Sequence, residues 1–219
     1  MLDTLVKLGN KLRTDALAIT DTETLGLDLS NLRAIRELEF EEKTPENDWD
    51  TAHHSQEMTG RQVLLEAPQI YQMGVGRQLM DVAEQYFGSP AILLDVTYRI
   101  DRNVKGDQRG VRRWHRDGES KSMLRAIVYL EAVGTSDGPF ECLPKTRVPL
   151  RLLLRLLPRH LRHTDTGVGL FVRKSRWQKC TGPAGTVVLV DPAALYHHGT
   201  NPKAHREVVT FTYIPVGGG

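Results

Sequence analysis

From residue 91 onward the chain is a series of short β-favouring runs separated by turn signals, and this pattern limits its fold more than any other feature. Residues 91–98, 123–130, 166–173, 186–190 and 207–214 read as strands, rich in Val, Ile, Leu, Thr and Tyr. Gly138-Pro139, Gly182-Pro183 and Asn201-Pro202 punctuate them. Helical spacing comes earlier. Leu2, Leu5, Leu8, Leu12 and Leu17 predict a helix over 2–18, and Pro68 with Gly88 and Pro90 bounds a second over 68–87, interrupted by Gly74 and Gly76. Helices followed by many short strands predict one α+β, mainly β domain, with a helical part over 1–90 and a sandwich or jelly-roll core over 91–215.

Bulk properties narrow the function. The 219 residues carry a formal net charge of only +2, so nothing global calls for nucleic acid or an anionic membrane. No apolar run is long enough for a membrane span. Two cysteines, Cys142 and Cys180, are too few for a disulfide framework, and a reducing cytoplasm is the expected setting.

Two H-x-D motifs stand out, His115-Arg116-Asp117 and His163-Thr164-Asp165. On extended chain, residues two apart face the same way, so such a motif can offer two ligands to a mononuclear iron, with a second histidine completing the face. Eight histidines and 27 acidic residues make about one H-x-[DE] motif expected by chance. Context favours His115 and Asp117, which lead into a clear strand at Met123; His163 sits in a basic, loop-like stretch and is expected not to be a ligand. The third ligand should come from Tyr196-His197-His198-Gly199, where adjacent histidines face opposite ways and only one reaches the metal. Arg206 opens the last strand, and its guanidinium suits bidentate pairing with a dicarboxylate. Met123, Arg125, Ile127 and Tyr129 share a strand face; if it is the interior, Arg125 and Tyr129 can reach a bound ligand.

Trp114-His115-Arg116-Asp117, Tyr129-Leu130-Glu131, Asp137-Gly138-Pro139-Phe140, Gly185-Thr186, His197-His198-Gly199 and Arg206 run in an order that resembles the phytanoyl-CoA dioxygenase family of Fe(II)/2-oxoglutarate oxygenases. The resemblance spans roughly 90–215. It implies a double-stranded β-helix (jelly-roll, cupin-like) core with flanking helices. Fe(II) would sit on His115, Asp117 and His197, and Arg206 would grip the far carboxylate of 2-oxoglutarate. His198 is the alternative ligand, which would make Thr200 a cosubstrate contact. Arg125 is a further candidate contact. The implied reaction consumes O2 and 2-oxoglutarate and oxidises a C–H bond of a small molecule; compact members of the family suggest antibiotic or other secondary-metabolite biosynthesis, such as that of orthosomycins. The family's usual P-G-S-H segment reads Pro144-Lys145-Thr146-Arg147 here.

Two other readings compete. Arg147, Arg151, Arg155 and Arg159 recur every four residues around a leucine-rich stretch, so a non-enzymatic jelly roll could bind a ligand or partner through a basic helix. A zinc hydrolase could use the same three ligands.

Overall fold

A computed structural model describes residues 2–38, 55–103, 110–118, 121–148 and 162–217. Fifteen named elements order the described chain. Helix α1 (Leu2–Asp15) precedes β1 (Leu17–Asp21) and the short α2 (Leu29–Arg33). Strand β2 (Ser55–Met58) leads into α3 (Gly60–Glu66), α4 (Pro68–Gly74) and α5 (Arg77–Phe87). The β-rich part holds β3 (Ala91–Arg102), β4 (Leu124–Tyr129), β5 (Phe140–Cys142), α6 (Asp165–Gly169), β6 (Gln178–Cys180), β7 (Thr186–Val190), β8 (His197–Gly199) and β9 (His205–Pro215).

Two antiparallel sheets face each other. The larger runs β1-β7-β4-β9-β3-β2 and the smaller β6-β5-β8. The fold is a jelly roll.

Period-two alternation decides what each face of the large sheet meets. On β4, Leu124, Ala126 and Val128 turn outward and join a core with Leu5, Leu8 and Leu12 of α1 and Leu79, Val82 and Ala83 of α5. Burying each of those leucines contributes roughly 2 kcal/mol. The intervening Ile127 and Tyr129 turn inward, packing with Val188, Val190 and Val208 against Phe140, Cys142 and Cys180 of the small sheet. Arg125 shares that inward face, where the wall opens into a cavity.

Several boundaries differ from the sequence-based expectation. The first helix stops at Asp15, because Ala16 takes a left-handed conformation (φ 58°). Leu17 then starts a strand paired with Val190 rather than a last helical turn. The helix expected over 68–87 divides after Gly74, where a side chain would collide with Leu93 and Phe211 of the sheet. The strand expected over 166–173 is instead α6, started by Thr164, whose hydroxyl accepts from the Gly167 N–H. Strand β3 continues past Tyr98 to Arg102. The basic helix expected between Pro149 and Pro158 lies outside the described residues.

Candidate metal centre

The site is assembled by extending the small sheet. His115 and His197 exchange two backbone hydrogen bonds of 2.9 Å, so the segment at 114–115 lies alongside β8. Trp114 pairs on its other side with His163, at 2.8 and 2.9 Å. The N–H of Asp117 donates to Pro192 O at 3.0 Å, tying the motif to the turn after β7. Asp191 shapes that turn by accepting from the N–H groups of Ala193 and Ala194, at 2.9 and 3.0 Å.

These constraints bring three side chains together. Asp117 Oδ1 is 3.4 Å from His115 Nε2 and 3.5 Å from His197 Nε2, and ligand atoms of all three lie within 4.8 Å of one another. His115 Nδ1 is 2.7 Å from Arg113 O, which only a protonated Nδ1 can satisfy; Nε2 is therefore the ring nitrogen that faces the site. Burial, reinforced by His115, pushes His197 down to about 3, so His197 is neutral near pH 7. Burial works against ionisation of Asp117, yet His115, His197 and Arg125 outweigh it and hold the carboxyl well below its usual range. Asp117 Oδ2 is buried without an accepted hydrogen bond, although Arg125 Nη1 approaches to 2.9 Å. Two imidazole nitrogens and a carboxylate oxygen that converge on one point fit a cation, and two imidazoles with one carboxylate are the donor set of a non-haem iron. The residues present therefore fit Fe(II).

His198 faces the other way. Its Nδ1 is 3.0 Å from Arg112 O and its Nε2 3.0 Å from Glu141 Oε2, while its ring lies tilted against Trp114 with centroids 4.2 Å apart. Both ring nitrogens are thus occupied away from the cluster. Nor does His163 enter it: its ring lies 6.3 Å from that of Tyr196. Arg116, between the ligands, is directed over the Tyr196 ring at 5.2 Å.

A cavity of about 440 Å³ opens on the metal cluster, lined in part by Arg125, Thr200 and Arg206. Arg206 is buried. Its Nε donates to Asp101 Oδ2 at 3.0 Å, and its two terminal nitrogens bond Asp101 and Gly138 O. Arg99 adds a second cation 3.2 Å from Asp101. Although burial opposes it, Arg99 and Arg206 hold Asp101 down to about 2. The Thr200 hydroxyl donates to Pro139 O at 2.8 Å. Tyr129 lies inward, but its hydroxyl is bonded to Cys180 O and the Phe140 N–H. Arg125 stands opposite Thr212 on β9, six residues from Arg206, so the two arginines enter the cavity from backbone positions roughly 20 Å apart along the strand.

No family model matches the chain, and no curated protein matches it by sequence. Solved structures do. The non-heme α-ketoglutarate-dependent epimerase SnoN from nogalamycin biosynthesis superposes with a TM-score of 0.65 at 17% identity, over 98% of this chain and 84% of that one. EctD from S. alaskensis gives 0.62 at 14% identity, over 97% and 77%. AviO1 from Streptomyces viridochromogenes Tue57 gives 0.62 at 15% identity, over 97% and 96%. This chain has the fold of those proteins. SnoN has been solved with Fe3+, α-ketoglutarate and nogalamycin RO, and EctD with 2-oxoglutarate and 5-hydroxyectoine.

Sequence reasoning missed Asp101, Arg99 and Arg162. The first two followed from reading β3 as ending at Tyr98; the alternation Thr97-Arg99-Asp101 was the available signal that the strand ran on. Arg162 is brought to the cavity by the bridge between Trp114 and His163, which no local pattern announces.

Proposed function

We propose that this chain is a non-haem Fe(II)- and 2-oxoglutarate-dependent oxygenase that oxidises a C–H bond of a small molecule, of the phytanoyl-CoA dioxygenase kind and serving antibiotic or related secondary metabolism. The observation that carries the reading is the convergence of three metal-ligating side chains, His115, Asp117 and His197, in a jelly-roll cavity. The structural likeness to SnoN and AviO1 supports it at the level of fold.

His115, Asp117 and His197 would hold the iron, and Arg113 O fixes the His115 tautomer that presents a lone pair to it. Bound there with 2-oxoglutarate and O2, iron supplies an oxidant strong enough to break a C–H bond, with succinate and CO2 as coproducts. The protein's part is placement. Around the Arg206 end, Arg99, Arg112 and Arg206 outnumber Asp101 and Glu57 by one charge among the described lining residues. The distal carboxylate of 2-oxoglutarate would neutralise that excess by pairing with the Arg206 guanidinium, whose Nη1 keeps one N–H beyond the one given to Gly138 O. Thr200 lines the cavity next to Gly199, which lies close to Arg206 Nη2, and so borders the same carboxylate. Arg125 borders the metal-bound end instead.

Anaerobic addition of Fe(II) and 2-oxoglutarate tests the reading. A visible charge-transfer band should develop with wild-type protein and be absent from His115→Ala. A well-folded wild-type protein that gives no band overturns the oxygenase assignment in favour of a binding module or a hydrolase.

A further inference from the structure

The cavity's lining is unusually cationic for a site that accepts apolar molecules. Among the described lining residues six arginines face four carboxylates, an excess of two. Fe(II) and the dianionic cosubstrate cancel each other, so that excess remains for whatever else binds. Apolar side chains are few: Ile127, Phe140 and Val190 form one small patch, with Val111 and Pro192 the others, against ten charged lining residues. Thr97, Thr210 and Thr212 cover the floor instead, placed side by side by the register of β3 and β9.

Two of the arginines flank the metal cluster. The antiparallel bridge between Trp114 and His163 sets Arg162 opposite His115, so both project from the same face of the extended small sheet. Arg162 is exposed, lines the cavity, and has no hydrogen-bond or ion-pair partner among the described residues. On the other side Arg125 sits 2.9 Å from Asp117, whose charge a bound iron would take up. Buried arginines elsewhere in the cavity are held by Asp101 and by main-chain carbonyls, as Arg206 and Arg112 are.

We propose that the substrate is a small polar molecule bearing an anionic group, a carboxylate or a phosphate, which docks between Arg162 and Arg125 over the open face of the metal. This rests on the oxygenase reading and specifies its substrate class. Guanidinium forks match both oxyanions in geometry, and the threonine floor provides partners for the hydroxyls of a hydroxylated acid or sugar phosphate.

The test is a titration of the anaerobic Fe(II)·2-oxoglutarate protein with glycerol 3-phosphate, glycerate, glycerol and choline at fixed ionic strength. The readouts are the charge-transfer band and calorimetric binding. One or both anions should shift the band saturably without abolishing it, while glycerol and choline should not. Whichever of glycerol 3-phosphate and glycerate binds more tightly identifies the oxyanion. Arg162→Gln, an exposed change that leaves the core intact, should weaken that binding about tenfold, the loss of one charge-assisted contact, and Arg162→Glu by more. Equal responses to glycerol and the anions overturn the proposal. So does anion binding that is indifferent to Arg162, or a band erased because the anion has displaced 2-oxoglutarate from iron. If no band ever forms, the oxygenase reading falls first and this one with it.

Discussion

His115-Arg116-Asp117 and His163-Thr164-Asp165 are chemically near-identical motifs that lie side by side, joined through the Trp114–His163 bridge. One converges on a point; the other diverges. In the first, His115 is paired to β8 and Asp117 is tied to Pro192, so both side chains project toward His197. In the second, Thr164 caps a helix, and Asp165 enters its first turn to accept from Trp114 Nε1 at 2.9 Å. His163 keeps its extended partner while Asp165 has already changed direction. Sharing a motif therefore says little; sharing a backbone conformation across all three residues decides whether two ligands point one way.

The comparison breaks most sharply on metal affinity. His115→Ala or Asp117→Ala should weaken Fe(II) binding by at least about 100-fold, since each removes a ligand from a set of three. His163→Ala and Asp165→Asn should leave affinity within about threefold. Anaerobic Fe(II) titration followed by calorimetry measures all four. A large loss in the second pair would mean that the two motifs share the metal.

Acid sensitivity of the metal-free protein gives a smaller contrast. His197 is held down to about 3 by burial and by His115, whereas an unfolded histidine titrates near 6.5. Between those values the unfolded chain binds a proton that the folded one refuses. The stability contributed by neutral His197 is thus complete above about pH 6.5 and is lost as pH falls toward 3. By pH 4 the loss should be on the order of 3 kcal/mol. His197→Asn should flatten that slope in urea unfolding run from pH 7 to 4. His163 is also lowered by burial, but it is only half-buried, and His163→Asn should change the slope little. Equal flattening by both variants would erase the distinction.

How much of this was legible in the sequence follows the same logic. Long, regular elements were readable: β4 and β7 fell within a residue of their expected spans, because alternation and flanking turns mark them. The convergence of His115, Asp117 and His197 could be anticipated because His115 and His197 sit on paired extended chain, which fixes the face each presents. Strands of three residues, such as β5 and β6, carry too little pattern to detect and form only because the neighbouring strand supplies hydrogen bonds. The segment at 166–173 has the valines of a strand, yet a single capping threonine turns it into a helix. The Arg206–Asp101 pair and the place of Arg162 depend on long-range register, which a local pattern cannot contain.

That cap supplies the smallest and most discriminating effect. Thr164→Ala removes the acceptor for the Gly167 N–H, 3.2 Å from the hydroxyl, and should cost about 1 kcal/mol in chemical unfolding. Because α6 is only five residues long, its first turn should loosen and Asp165 should lose its fixed position against Trp114. The backbone bridge between Trp114 and His163 does not use the Thr164 side chain, so His115 should stay in register with His197 and Fe(II) affinity should hold. A variant that loses stability and keeps its metal shows that the cap alone sends the second motif on its separate path. One that loses both shows that the helix start also braces the first motif, through Trp114, and that the two stretches act as one.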